Sequence, residues 1–485
     1  MNGGKDYRGL FFAVVMFLLA PLALVAFLPM VDVPGHLARI YILQHYDQVP
    51  QFQQTYELTG KWLPHLTMDL TILALAKMMT LQEAARVFVA LGMVVFALGC
   101  WTVSYAVHGR ITPLAVLALF LQYNSSFFYG FVAFQFGVAV ALCAIGLWYR
   151  WHRQWNAARV GALVVLGLIT YSSHLGGYAF LGLAAGWLTL RIWREEKRIS
   201  LASLIGLLPL IPPLLIYLRL GKAPGQQGLI QFSTLSLKLR HAAMLLIGYD
   251  GYVDMAVALL LLAAVWAGWR YGTYRFQPEM VSLAIVFAIA FLALPWFVLT
   301  ASDVDTRMVL GIGVFLLLGL TCDLPPATGK LIYGLALLAL AARICFCGWV
   351  WSRQSELIAG HAAFLDQIPE GARVYPLAHF PENSAANKFE RVLQHVPDLA
   401  TAQRRAIVAT TFAVPGQHSI VERTPRWYQT NIDPAHPEAF DWERVAKEYD
   451  VIWQYGPDAA LRAVLDARFR LAGEHGDARL YQSKK

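Results

Sequence analysis

Long apolar runs, separated by short polar or basic stretches, set the pattern of this chain from residue 11 to residue 350. Runs suited to helices lie at about 11–29, 64–80, 84–107, 112–123, 129–149, 160–172, 177–190, 200–218, 252–268, 280–298, 308–320 and 330–350. A helix that crosses a bilayer needs about 20 residues, so the shorter runs must borrow flanking residues or be broken helices. The weakest is 64–80, which holds His65, Asp69 and Lys77. It is expected to be a juxtamembrane or re-entrant helix in the first outer loop, which leaves about eleven spans, with about 11–13 compatible with the pattern.

After Arg353 the pattern changes. Residues 372–376 and 449–454 read as short strands, 441–448 and 458–467 as helices, and 479–482 as a last strand. The expected fold class is therefore an α-helical polytopic membrane protein with a small C-terminal exported α/β domain. Residues 1–354 would form the membrane module, including a first outer loop at 30–82, and 355–485 the extracytoplasmic domain.

Composition agrees with this division. The 485 residues are 58% hydrophobic and 14% charged, against about 25% charged in soluble proteins. The net charge of +8 comes from the apolar part, since the tail is slightly acidic. Basic loops flanking membrane spans explain that balance, and a nucleic-acid footprint does not. Arg150, Arg153 and Arg159, then Arg191, Arg194, Lys197 and Arg198, then Arg270, Arg275 and Lys330 mark cytoplasmic loops. The stretches near Asn124–Tyr129, at His174, at 219–250 and at Ser302–Arg307, and the tail, then face outward, with the amino terminus cytoplasmic. The first apolar run has no small-residue cleavage site after it and is expected to stay as the first helix. Cys100, Cys143, Cys322, Cys345 and Cys347 lie in or beside apolar segments and are expected to be structural thiols.

Four polar groupings carry candidate chemistry. Residues 32–39, DVPGHLAR, place a carboxylate, an imidazole and a guanidinium where the first helix leaves the bilayer, where such groups must be hydrated, paired or used. Asp32 suits a general base, and His36 or Arg39 suits an anionic group such as phosphate. His174, before the glycine pair at 176 and 177, suits substrate binding or the orientation of a carboxylate. Arg307, at the start of a helix, suits a phosphate or diphosphate. The alternating carboxylates Asp303 and Asp305 are compatible with a divalent cation, though alternation alone does not specify one. The stretch Asn124–Tyr129 and Gln135 offer polar groups for sugar hydroxyls and aromatic rings to stack on a sugar, and ordinary helix-end capping explains them equally well. The glycine-rich stretch 221–228 lacks the Gly-Lys-Ser/Thr ending of a phosphate-binding loop and is expected to be a plain loop.

With these features in this order, the chain resembles the GT-C superfamily of integral membrane glycosyltransferases, which includes protein mannosyltransferases and the aminoarabinose transferase acting on lipid A. The resemblance rests on one helix, a long first outer loop opening on DVPGHLAR, WLPH at 62–65, EAAR at 83–86, a many-helix bundle and a small exported domain. It implies that Asp32 is the catalytic base, that the donor is a polyprenyl-phosphate sugar with its phosphate near Arg307, and that the anomeric centre inverts. It also implies a bacterial inner membrane, membrane lipids as partners, a lipid, glycan or protein acceptor, and no nucleic acid. No organic cofactor is implied. Asp32 has no second carboxylate beside it in the first loop, and no Trp-Trp-Asp motif occurs, so metal use and acceptor class stay open. The competing readings are a polysaccharide or lipid transporter, which internal repeats would favour, and a non-catalytic assembly or sensing protein.

Overall fold

The structure, a computed structural model, describes residues 6–220, 229–243, 248–299, 301–380, 389–429, 432–433 and 436–484. The glycine-rich stretch 221–228 lies outside the described residues. Two compact units form: Met1–Ala23 with Trp62–Met68 and Val87–Gly348, and Leu24–Lys61 with Asp69–Arg86 and Trp349–Lys485. Most of the stretch 30–82 thus belongs to the same unit as the tail.

Among the described residues, six helices are long and apolar enough to cross a membrane: Leu81–His108, Val132–Trp151, Leu175–Glu196, Ser203–Leu220, Gly251–Tyr271 and Pro326–Leu365. Five shorter apolar helices accompany them: Arg8–Ala23, Leu66–Leu75, Ala157–Ser173, Pro278–Ala293 and Arg307–Gly319. The chain is an integral membrane protein. The expected run at 112–123 divides into an α-helix at Pro113–Ala118 and a 3-10 turn at Leu119–Gln122. The candidate span Ser203–Leu220 is not one regular helix: the run at 200–218 is interrupted around Pro209, with further proline at 212 and 213, into Leu201–Ile205, the 3-10 turn Leu208–Leu210 and Ile211–Leu220, because proline removes a helical donor and crowds the preceding turn. The doubtful run at 64–80 contains the ten-residue helix Leu66–Leu75, about 15 Å long at 1.5 Å per residue.

In the first unit, small residues set how closely helices approach. A Cβ on Gly177 would lie 2.9 Å from the backbone of Gly137, and one on Gly146 would lie 2.7 Å from Thr102. Glycine is needed at both places because backbone meets backbone. Pro278–Ala293 packs on Arg307–Gly319, with Phe287 against Gly311 and its ring 4.4 Å from Phe180 and 5.3 Å from Phe315.

The second unit holds a five-stranded mixed sheet in the order Arg470–His475, Ala478–Gln482, Val451–Tyr455, Arg373–Ala378, Ile407–Val408. The first three strands pair antiparallel and the last two join in parallel. Val451–Tyr455 is buried at every position, as befits a strand covered on both faces. The helices Trp442–Glu448 and Ala459–Arg468 begin at the capping carboxylates Asp441 and Asp458, and bring Trp442, Val445, Leu461 and Leu465 into a core with Tyr375, Ile452 and Tyr481. A second core joins Ile42, Val49, Phe52 and Tyr56 to Ile407 and Ile420. There Tyr56–Leu58 pairs antiparallel with Ile420–Glu422, so first-loop and tail residues fold as one body.

Candidate functional site

Asp32 stands at the N-cap of the Val33–His45 helix, which proline opens in its first turn. Its side chain makes no capping bond and is 20% exposed. The positive end of the helix dipole favours an anion at this position. Oδ1 of Asp32 lies 3.9 Å from Nε2 of His395, and the other ring nitrogen, Nδ1, is 3.0 Å from Oδ2 of Asp398. Asp398 is fully buried. Its carboxylate also accepts from the Thr410 hydroxyl at 2.9 Å and, more weakly, from Thr411 at 3.5 Å. Burial opposes charge on the His395 ring, but the hydrogen bond and charge of Asp398, with the charge of Asp32, outweigh it and hold the imidazole above its ordinary pKa.

One turn along the same helix, His36 and Arg39 are buried. Nδ1 of His36 is 3.1 Å from Nη1 of Arg39. The Arg39 guanidinium grips Asp69 through Nε and Nη2, the shortest contact being 2.7 Å, and Ser419 donates to the other oxygen of Asp69 at 2.9 Å. Arg39 is therefore committed to Asp69, the residue that weakened 64–80 as a span. The ring of Phe412 lies between three imidazoles, 4.8 Å from His36, 5.1 Å from His395 and 5.8 Å from His418.

In the first unit, Arg307 and His174 meet, Nη1 to Nε2 at 3.3 Å. His174 lies at the junction of Ala157–Ser173 and Leu175–Glu196, and its Nδ1 accepts from the Gly176 N–H at 2.8 Å. A neutral imidazole that accepts at Nδ1 carries its proton on Nε2. That nitrogen then faces the guanidinium donor to donor. Phe131 and Phe134 lie under Arg307 at 5.0 and 5.4 Å, and Nη2 donates to the Ser302 carbonyl at 3.2 Å. His65, with its ring 5.1 Å from His174, has a left-handed backbone at φ 69°, a conformation that costs about 1 kcal/mol or more in a non-glycine residue. Tyr129 packs on Phe131 at 6.0 Å.

The remaining candidates are engaged in holding the fold. Asn124 caps Ser125–Tyr129: Oδ1 accepts from the Phe127 N–H and from Gln135, and Nδ2 donates to the carbonyls of Leu121 and Gln122. Asp305 is fully buried, with Oδ2 2.7 Å from Nζ of Lys238 and Oδ1 accepting from the Thr306 N–H. Lys238 also donates to the carbonyls of Phe291 and Leu294. Asp303 has φ 57° and accepts from the Trp296 indole at 3.4 Å. Among the described residues no group of three or more His, Cys, Asp or Glu side chains is arranged to hold a metal ion.

Sequence reasoning missed His395 and Asp398, and took Asp69 only as a residue that weakens 64–80 as a span, not as the partner of Arg39. The His-Val-Pro-Asp stretch at 395–398 shows two groups three apart in a polar tail, and nothing local ties them to Asp32, more than 350 residues earlier.

No protein-family profile and no curated protein matches the chain. Solved structures do. The chain is similar to ArnT from Cupriavidus metallidurans bound to undecaprenyl phosphate, with TM-score 0.52 and 13% identity, and to the same protein in the apo state, with TM-score 0.51 and 14% identity. Each superposition covers 98% of both chains. At such low identity the likeness concerns the fold. That likeness runs along nearly the whole length of both chains.

Proposed function

We propose that this ArnT-like chain is a membrane glycosyltransferase. It moves a sugar from a polyprenyl-phosphate-linked donor to a lipid, glycan or protein acceptor on the outer face of the membrane. The observation that carries this reading is the setting of Asp32: a partly exposed carboxylate at a helix N-terminus, not used as a cap and facing an imidazole that a buried aspartate holds in place. Binding of undecaprenyl phosphate by ArnT supports the donor class.

In the proposed step, the acceptor O–H bond breaks and its proton passes to Asp32 as the oxygen bonds to the anomeric carbon. The bond from that carbon to the donor phosphate oxygen breaks, and its electron pair leaves with the polyprenyl phosphate. One displacement inverts the anomeric centre. A phosphate is a stable leaving group, so the protein's task is to bind the anion rather than to protonate it. In the first unit, Arg307 with His174 supplies two converging donors for an anionic oxygen, and an oxygen accepting from both would relieve their donor-to-donor contact.

The test uses full-length protein in lipid nanodiscs, a panel of undecaprenyl-phosphate-linked pentoses and hexoses, and a bacterial envelope extract as acceptor. Asp32→Asn should lower transfer about 10²–10⁴-fold while undecaprenyl phosphate binding and the melting temperature stay near wild type. Transfer at the wild-type rate would overturn the role of Asp32. The product's anomeric configuration, read by NMR, should be opposite to the donor's.

A further inference from the structure

Resting on the assignment of Asp32 as base, we propose that His395, anchored by Asp398, is the positioning residue of the catalytic carboxylate. It presents Nε2 to Oδ1 of Asp32 and so aims that carboxylate and keeps it ionised. The argument is geometric. Asp398 is buried and accepts from the Thr410 and Thr411 hydroxyls; a carboxylate offers only acceptors, so against it Nδ1 of His395 carries the hydrogen of their 3.0 Å contact. That leaves Nε2 directed to Asp32, at 3.9 Å.

An imidazolium balances two carboxylates that would otherwise repel each other from either side of one ring. The groups around the ring come from three segments. Asp32 comes from the head of the Val33–His45 helix, Asp398 from the 3-10 turn Val396–Leu399, and Phe412 packs on the ring from the loop after Ile407–Val408. Beyond Phe412 lie His36 and His418, and the Gln394 amide is 3.5 Å from Nε2. Burial opposes charge on the ring, but the two carboxylates outweigh it and raise its pKa above the ordinary value. His395 touches neither donor nor acceptor in this scheme. It acts through Asp32.

Two measurements on full-length protein in nanodiscs test this. In histidine-labelled protein, the imidazole signal lost in His395→Gln should titrate above the ordinary histidine range. Asp32→Asn should lower its midpoint, and Asp398→Asn, which keeps an acceptor for Nδ1 but removes the charge, should lower it further. A midpoint that ignores Asp32→Asn overturns the proposal. In the transfer assay with the undecaprenyl-phosphate sugar panel, His395→Gln should shift the acidic limb of the pH–rate profile up by about 1 unit and lower kcat more than it changes KM. A purely structural role would lower the yield of folded protein and leave that limb in place. An inactive Asp32→Asn beside an unshifted limb in His395→Gln refutes the positioning role alone. An active Asp32→Asn refutes the base assignment, and with it the catalytic part of this inference.

Discussion

At the scale of single residues, buried charges lean on partners that lie far away along the chain. Arg39 and Asp69 are both buried, so removing one charge leaves the other uncompensated. Asp69→Ala should destabilise the protein by about 3–5 kcal/mol, measured as a lower unfolding midpoint in mild denaturant. Arg307→Ala should weaken undecaprenyl phosphate binding about 10–100-fold, the worth of charged hydrogen bonds. Arg307→Lys should restore only part of it, because an ammonium lacks the planar fork; nanodisc binding assays distinguish the two. His395 also makes a prediction about stability and pH. Its pKa in the folded state is raised above the unfolded value near 6.5. Its stabilisation is then fully present below about pH 6.5 and lost as pH rises through the higher folded value. The stability difference between wild type and His395→Gln should therefore be greatest in mild acid and shrink toward alkaline pH, as thermal melts across pH will show.

Among the elements, the helices owe their positions to small residues as much as to apolar faces. Gly177 sits at the crossing of Leu175–Glu196 and Val132–Trp151, where a Cβ would meet the Gly137 backbone at 2.9 Å. Gly177→Val should push the helices apart at a cost of about 1–3 kcal/mol and disturb His174, three residues earlier at the same junction. A lower melting temperature together with weaker undecaprenyl phosphate binding is the expected pair of outcomes. Most elements were legible from hydrophobic period. The runs at 84–107, 160–172 and 252–268 correspond closely to Leu81–His108, Ala157–Ser173 and Gly251–Tyr271, and the tail strands at 372–376 and 479–482 to Arg373–Ala378 and Ala478–Gln482. The strands Tyr56–Leu58, Ile407–Val408 and Arg470–His475 were not. The first two are too short to show a period, and the third is exposed at most positions, so no alternation of apolar residues marks it.

At the scale of the whole molecule, the second unit is assembled from distant stretches of sequence. Residues 355–485 expressed alone should keep the five-stranded sheet but leave Ile420–Glu422 without its partner strand and Ile407 and Ile420 without Phe52 and Tyr56. Hydrogen exchange should be fast at 420–422 in that fragment and slow in the full chain. The sequence alone determined that the protein is a membrane helical bundle with a small mixed domain, because apolar length and period are local properties that the bilayer and the pleat read directly. It also marked Asp32, His174 and Arg307, because a polar group at the edge of an apolar run stands out without reference to anything else. Only the tertiary structure brought His395 and Asp398 to Asp32, joined Asp69 and Ser419 to Arg39, and enclosed Asp305 with Lys238. The reason is physical: buried charges are stabilised by partners close in space, and no local pattern along the chain records which partner the fold brings near.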